Sequence, residues 1–209
     1  MYVVVQVYYP AQFAVFYAAR FSSVPSELYE ACNLYALRHI YSTRHIGLTL
    51  GGNGDAELVA SGCLREGTQR GTTESGMYAD AGHAQPGPST GGYTVELGST
   101  TLHAVSGQHH ATTLGTSDSE SYEVSRAVAT ALAFRSFMAE FGFPQRLPTE
   151  VKNDNSGTVA KAASDASDKR SLYMKRRVRF VQEAHKLGEV LVVYVQSAAN
   201  YSGNHQHEI

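Results

Sequence analysis

The chain has 209 residues, a formal net charge of −2, 43% hydrophobic and 17% charged residues, no Trp, 13 Tyr and 8 Phe. This is enough apolar material for one substantial domain with an extension, and it excludes a chain disordered by composition. Near-neutral charge excludes polyanion binding through global charge, so any such binding needs a local patch. Two cysteines, Cys32 and Cys63, without metal-type spacing exclude a disulfide framework and fit a reducing, intracellular setting.

The opening MYVVVQVYYPAQFAVFYAARF is apolar, but Gln6, Pro10 and Gln12 interrupt it and no charge precedes it. It reads as a short strand and then a helix over Ala11 to Phe21, not as a signal peptide or membrane span. A second helix begins after Ser26, with Leu28, Ala31, Leu34 or Tyr35, and Leu37 marking its apolar stripe. GLTLGGNGDAELVASG reads as a hairpin around Gly51–Gly54, and residues 62–76, rich in Gly and Thr with no period, as an insertion loop.

From Met77 the pattern changes. GMYADAG predicts a short strand and turn, and GGYTVELGSTTLHAVSG two strands joined near Gly98. A helix follows from about Ser117 to Phe141, with Val124, Val128, Ala131 or Leu132, Arg135, Met138 and Phe141 on one stripe and Gly142 and Pro144 as its stop. A strand ends at Asp154, a short helix follows, a basic helix covers about Ser171 to Leu187, and GEVLVVYVQS predicts a strand buried on both faces.

Three acids fall at element ends: Asp80 at a strand end, Glu120 in the first turn of the long helix and Asp154 at another strand end. Carboxylates so placed can converge over one sheet edge, offer oxygen ligands to a hard divalent cation and support phosphodiester chemistry. Each also has a plain structural reading: Asp80 as a turn starter, Ser117 and Glu120 as a capping box, and Asp154 as the cap of the helix behind it.

A resemblance shifts that balance. PAQFAVFYAARFSSVPSELYEACNLYALRHIYST with GLTL, then YADAGHA, STGGYTVELG, TLGTSDSESYEVSRAV, VKNDNSGTVA and RFVQEAHKLGEVLVVYV occur in order from about Pro10 to Val195. This stretch resembles the C-terminal part of a copia-type retrotransposon polyprotein, where the reverse transcriptase connects to its ribonuclease H domain. The resemblance implies a ribonuclease H-like α/β fold, a mixed sheet with flanking helices, over residues 56–197. A helical connection-like segment over 1–55 would precede it and a polar tail over 198–209 would follow. It places Asp80, Glu120 and Asp154 on the family's first three catalytic carboxylates, with Mg²⁺ or Mn²⁺ as cofactor and RNA or an RNA/DNA hybrid as partner.

The sequence also departs from that family. Its fourth metal-binding acid aligns with Lys175. A unit charge 4 Å from another costs or gains about 4 kcal/mol at an effective dielectric near 20, and a divalent ion feels about twice that, so a second ion should bind poorly. An ammonium can also stand in for a cation. Gly82 and His83 replace the usual Asp and Trp, and the tail QSAANYSGNHQHEI lacks the family's acidic ending. Asp165 and Asp168 are nearby acids that do not match the pattern.

Seven of the 17 basic residues lie within 18 positions: Lys169, Arg170, Lys175, Arg176, Arg177, Arg179 and Lys186. Such a run is ordinarily a solvated helix face, but in a chain of net charge −2 it is a candidate phosphate-contacting patch. Lys175, Arg176 and Arg179 share a face and Arg177 points elsewhere. His109 and His110 read as a polar loop, His83 as a turn residue, and His205 and His207 lack metal geometry. These departures lead us to expect a catalytically impaired RNA- or protein-binding subunit of a larger assembly such as a ribonucleoprotein, with no membrane contact. The alternative is an active metal-dependent endoribonuclease on RNA/DNA hybrids.

Overall fold

The computed structural model describes residues 26–45, 76–82, 88–97, 100–142, 144–164 and 172–197, together with the helical residues 12, 15 and 19. The expected hairpin at 51–54, residues 62–75 of the expected 62–76 insertion, Cys63, His83, Asp165, Asp168, Lys169, Arg170 and the tail lie outside these residues, and Gly76 opens the first strand instead.

Helix α1 (Glu27–Ser42) begins where expected, with the Ser26 hydroxyl accepting from the Tyr29 amide. The remaining elements are β1 (Gly76–Gly82), β2 (Thr90–Leu97), β3 (Thr100–Gln108), α2 (Thr116–Glu140), β4 (Thr149–Asn153), α3 (Ser156–Ala163), α4 (Leu172–Lys186) and β5 (Val190–Tyr194). The strands form one sheet in the order β3-β2-β1-β4-β5. β1–β2 and β2–β3 are antiparallel, whereas β1–β4 and β4–β5 are parallel. The chain therefore builds outwards from β1 in one direction, then crosses through α2 to β4 and builds in the other. In open sheets the crevice outside the carboxyl ends of the strands at such a reversal is where ligands bind.

One face of the sheet carries the core. Met77, Ala79, Tyr93, Val95, Val151, Val190 and Val192 pack against Val124, Ala127, Val128 and Ala131 of α2, Ala162 of α3, and Val181 and Ala184 of α4. A fully buried Val such as Val151 contributes about 1.5–3 kcal/mol. On α4 the buried Met174, Val178 and Val181 recur at helical spacing, which turns Lys175, Arg176 and Arg179 to solvent.

Two expectations are corrected here. β5 is an edge strand whose burial alternates: Val190 and Val192 are buried, Leu191 and Val193 partly so, and Tyr194 is exposed. Its unbroken apolar run thus serves one core face rather than two. The core stripe of α2 ends near Ala131. Arg135 instead donates to the carbonyls of Gln145 and Leu147, and Phe141 is 64% exposed. Gly142, at φ +88°, stops the helix as expected, because that backbone conformation suits a residue without Cβ.

The N-terminal segment reaches the sheet at one described point, where buried Gln12 donates through Nε2 to the Ala104 carbonyl of β3 at 3.2 Å. Among the described residues, no helix is long and apolar enough to cross a membrane.

Candidate metal centre

The three acids meet. Asp80 comes from β1, Glu120 from the second turn of α2 and Asp154 from the residue after β4. Each offers a carboxylate oxygen, and these oxygens lie within 4.8 Å of one another. Asp80 and Glu120 are buried and Asp154 is half-buried, so the cluster opens towards solvent on the Asp154 side.

For Glu120 and Asp154 the plain structural roles are not filled by these acids. α2 starts at Gly115 with no side-chain cap, and the Ser117 hydroxyl accepts from Lys161 Nζ at 2.6 Å, so Ser117 and Glu120 form no capping box. α3 is capped by Asn155, whose Oδ1 accepts from the Thr158 amide at 3.0 Å. Asp154 is therefore released from capping, and it accepts from the Ser197 hydroxyl at 2.7 Å.

Glu120 is held by Asn153, whose Nδ2 donates to Oε2 at 2.8 Å. Burial is the largest influence on its pKa and pushes it up; the Asn153 hydrogen bond opposes this, the nearby Asp80 and Asp154 push further up, and a bond from the Ala81 backbone opposes. The net result is a carboxyl raised to about 8, so it carries a proton at neutral pH unless a cation replaces that proton. Three converging hard oxygen donors, one of them protonated chiefly because it is buried, suit a hard cation such as Mg²⁺ or Mn²⁺.

Lys175 is exposed in the first turn of α4, and no hydrogen bond or ion pair among the described residues ties it to these carboxylates. Arg176 is also exposed, and Arg179 pairs with Glu183 at 2.9 Å on the same surface. Arg177 points elsewhere, as expected, and the structure shows where. Its guanidinium lies 4.1 Å from the Tyr122 ring centroid and donates to Ser125 Oγ at 2.7 Å, so it ties α4 to α2.

Sequence reasoning missed two groups. Asn153 was hidden because a lone Asn at a strand end reads as turn chemistry. His109 was expected in a polar loop, yet its side chain is wholly buried and its Nε2 lies 2.9 Å from Glu123 Oε2. Arg126 Nη1 contacts both Glu123 oxygens at 3.1 Å. This pair lies directly over Gly91, where a Cβ would come within 2.4 Å of His109 Nε2 and 2.6 Å of Glu123 Oε2. A residue with no Cβ over a helix carrying two acids three positions apart was the available signal. His110, by contrast, is exposed.

No family model matches the chain, and no curated protein matches it in sequence. Solved structures do match. The N-terminal RNase H domain of Rv2228c from Mycobacterium tuberculosis is 16% identical with a TM-score of 0.49, over 63% of this chain and 89% of that one. LC11-RNase H1, solved with an RNA/DNA hybrid, is 18% identical with a TM-score of 0.48, over 60% and 88%. The foamy viral protease-reverse transcriptase, also in complex with RNA/DNA hybrid, is 12% identical with a TM-score of 0.48, over 68% of this chain and 20% of that one. The chain itself forms a mixed five-stranded sheet with flanking helices, the α/β architecture expected from the sequence.

Proposed function

We propose that this chain is a divalent-cation-dependent ribonuclease H-like protein of copia-type retroelement ancestry that binds RNA/DNA hybrids and cleaves their RNA strand. The observation that carries this reading is the convergence of Asp80, Glu120 and Asp154 within 4.8 Å at the carboxyl ends of the parallel strands. Asp80 and Asp154 would hold Mg²⁺ or Mn²⁺, and Glu120 would complete the set on losing its proton. When bound, the ion supplies Lewis-acid polarisation of the phosphodiester. The chain's own part is to present these oxygens in a fixed array, partly shielded from water, while Lys175, Arg176 and Arg179 contact backbone phosphates.

A second reading, a catalytically impaired subunit of a larger assembly, is favoured by two observations. Three carboxylates neutralise one divalent ion more fully than two, and an exposed Lys175 stands where the resemblance to the copia-type family would put a fourth acid. In addition, α1 exposes Leu34, Tyr35, Leu37 and Tyr41, the kind of surface that a protein partner covers.

The deciding experiment is a Mg²⁺ and Mn²⁺ titration of cleavage on a labelled RNA/DNA hybrid, with Asp154→Asn as control. Cleavage that the substitution abolishes supports the first reading. Hybrid binding without cleavage, by a folded protein, overturns it in favour of the second.

A further inference from the structure

The backbone ladder between β1 and β4 runs from Gly76 opposite Glu150 to Tyr78 opposite Lys152. One residue further on, a side chain takes over. Asn153 Nδ2 donates to the Ala79 carbonyl at 2.9 Å, and its other hydrogen goes to Glu120 Oε2 at 2.8 Å. The Asn153 Oδ1 accepts from the Asn155 amide at 3.0 Å. The residue is wholly buried, and both its donors and one acceptor site are in use.

Each of these bonds touches the chain at or beside one of the three acids. Ala79 precedes Asp80, Glu120 is bonded directly, and Asn155 follows Asp154. A change in the separation of any two carboxylates would strain or break at least one bond of this one amide. Building on the metal reading above, we infer that Asn153 is a positioning residue that sets the spacing of the three carboxylates, and with it the site's preference for a small divalent cation over a larger one. Mg²⁺ demands near-ideal octahedral geometry with short bonds, whereas Ca²⁺ accepts longer and more irregular ones. Loosening the array should therefore cost Mg²⁺ binding far more than Ca²⁺ binding.

The test is calorimetric titration of the full chain with Mg²⁺ and with Ca²⁺, for the wild type, Asn153→Ala, Asn153→Ser and Asp154→Asn, with circular dichroism to follow folding. The two Asn153 variants should bind Mg²⁺ about 10–100-fold more weakly and Ca²⁺ within about threefold of wild type. Asp154→Asn should weaken both ions. An unchanged ratio of the two affinities in folded variants overturns the inference while leaving the metal reading intact. If Asn153→Ala fails to fold, Asn153→Ser decides. Failure of both to fold overturns it too, since the residue is then a folding requirement and not a setter of spacing. A wild type that binds neither ion overturns the metal reading itself.

Discussion

Glu120 and Glu123 sit one turn apart on the same helix, both buried, in opposite electrical company. Glu123 has Arg126 and His109 against its two oxygens. Glu120 has two other carboxylates as its nearest charges and only an amide and a backbone N–H to receive its own. A buried charge with partners is part of the scaffold, whereas one left without a cation is a place for a cation to go. The difference separates the wall of the site from the site.

The comparison breaks most visibly under pH. Glu120 has a folded pKa of about 8 against an ordinary value of 4.5, so the folded state holds a proton that the unfolded state gives up between those limits. Without divalent ions, stability should therefore fall as pH rises across that window, by roughly 5 kcal/mol in all at about 1.36 kcal/mol per unit. Glu120→Gln should remove this slope, leaving the variant more stable than wild type at pH 8 and equal to it below pH 4.5, as urea denaturation at each pH will report. Mg²⁺ affinity should rise over the same window as the competing proton leaves.

Substitution of Glu123 should destabilise rather than stabilise. Glu123→Gln leaves His109 and Arg126 without their carboxylate and should cost about 3 kcal/mol at neutral pH, measured by the same denaturation, with no stabilisation at pH 8. An equal response of the two variants would erase the distinction between them.

On α4 the same logic separates neighbouring arginines. Arg177→Ala loses its stacking on Tyr122 and its bond to Ser125 and should destabilise by about 1–2 kcal/mol. Arg176→Ala should leave stability within about 0.5 kcal/mol. It should weaken hybrid binding and lower the salt slope by about one, read by fluorescence anisotropy over a salt series. Arg179→Ala should likewise weaken hybrid binding, and on stability it should cost only about 0.3–0.5 kcal/mol, the worth of an exposed helical ion pair with Glu183.

The order of elements from β1 onwards was legible because it rests on local signals, alternation and periodicity, whereas the grouping of the three acids rested on the family resemblance, since each acid alone reads equally well as a cap or a turn. Asn153 was not legible, because its role lies in bonds to residues 74 and 33 positions away. His109 was misread for the same reason, since a His-His pair in a polar stretch gives no sign of Glu123 waiting 14 residues later on a helix face. The burial of β5 was overestimated because an apolar run does not say whether its strand is central or at the edge.

The central parallel pairing joins Gly76–Tyr78 to Glu150–Lys152, so the chain must close a loop of some seventy residues before Asp80 and Asp154 can meet. Loop closure of this kind is entropically unfavourable and is completed late on the folding route. On the function proposed above, metal capture would report finished assembly: a growing or partly opened chain lacks the array, and binding would wait on closure of β1 against β4. Added Mg²⁺ should slow the unfolding arm of a chevron more than it speeds the refolding arm.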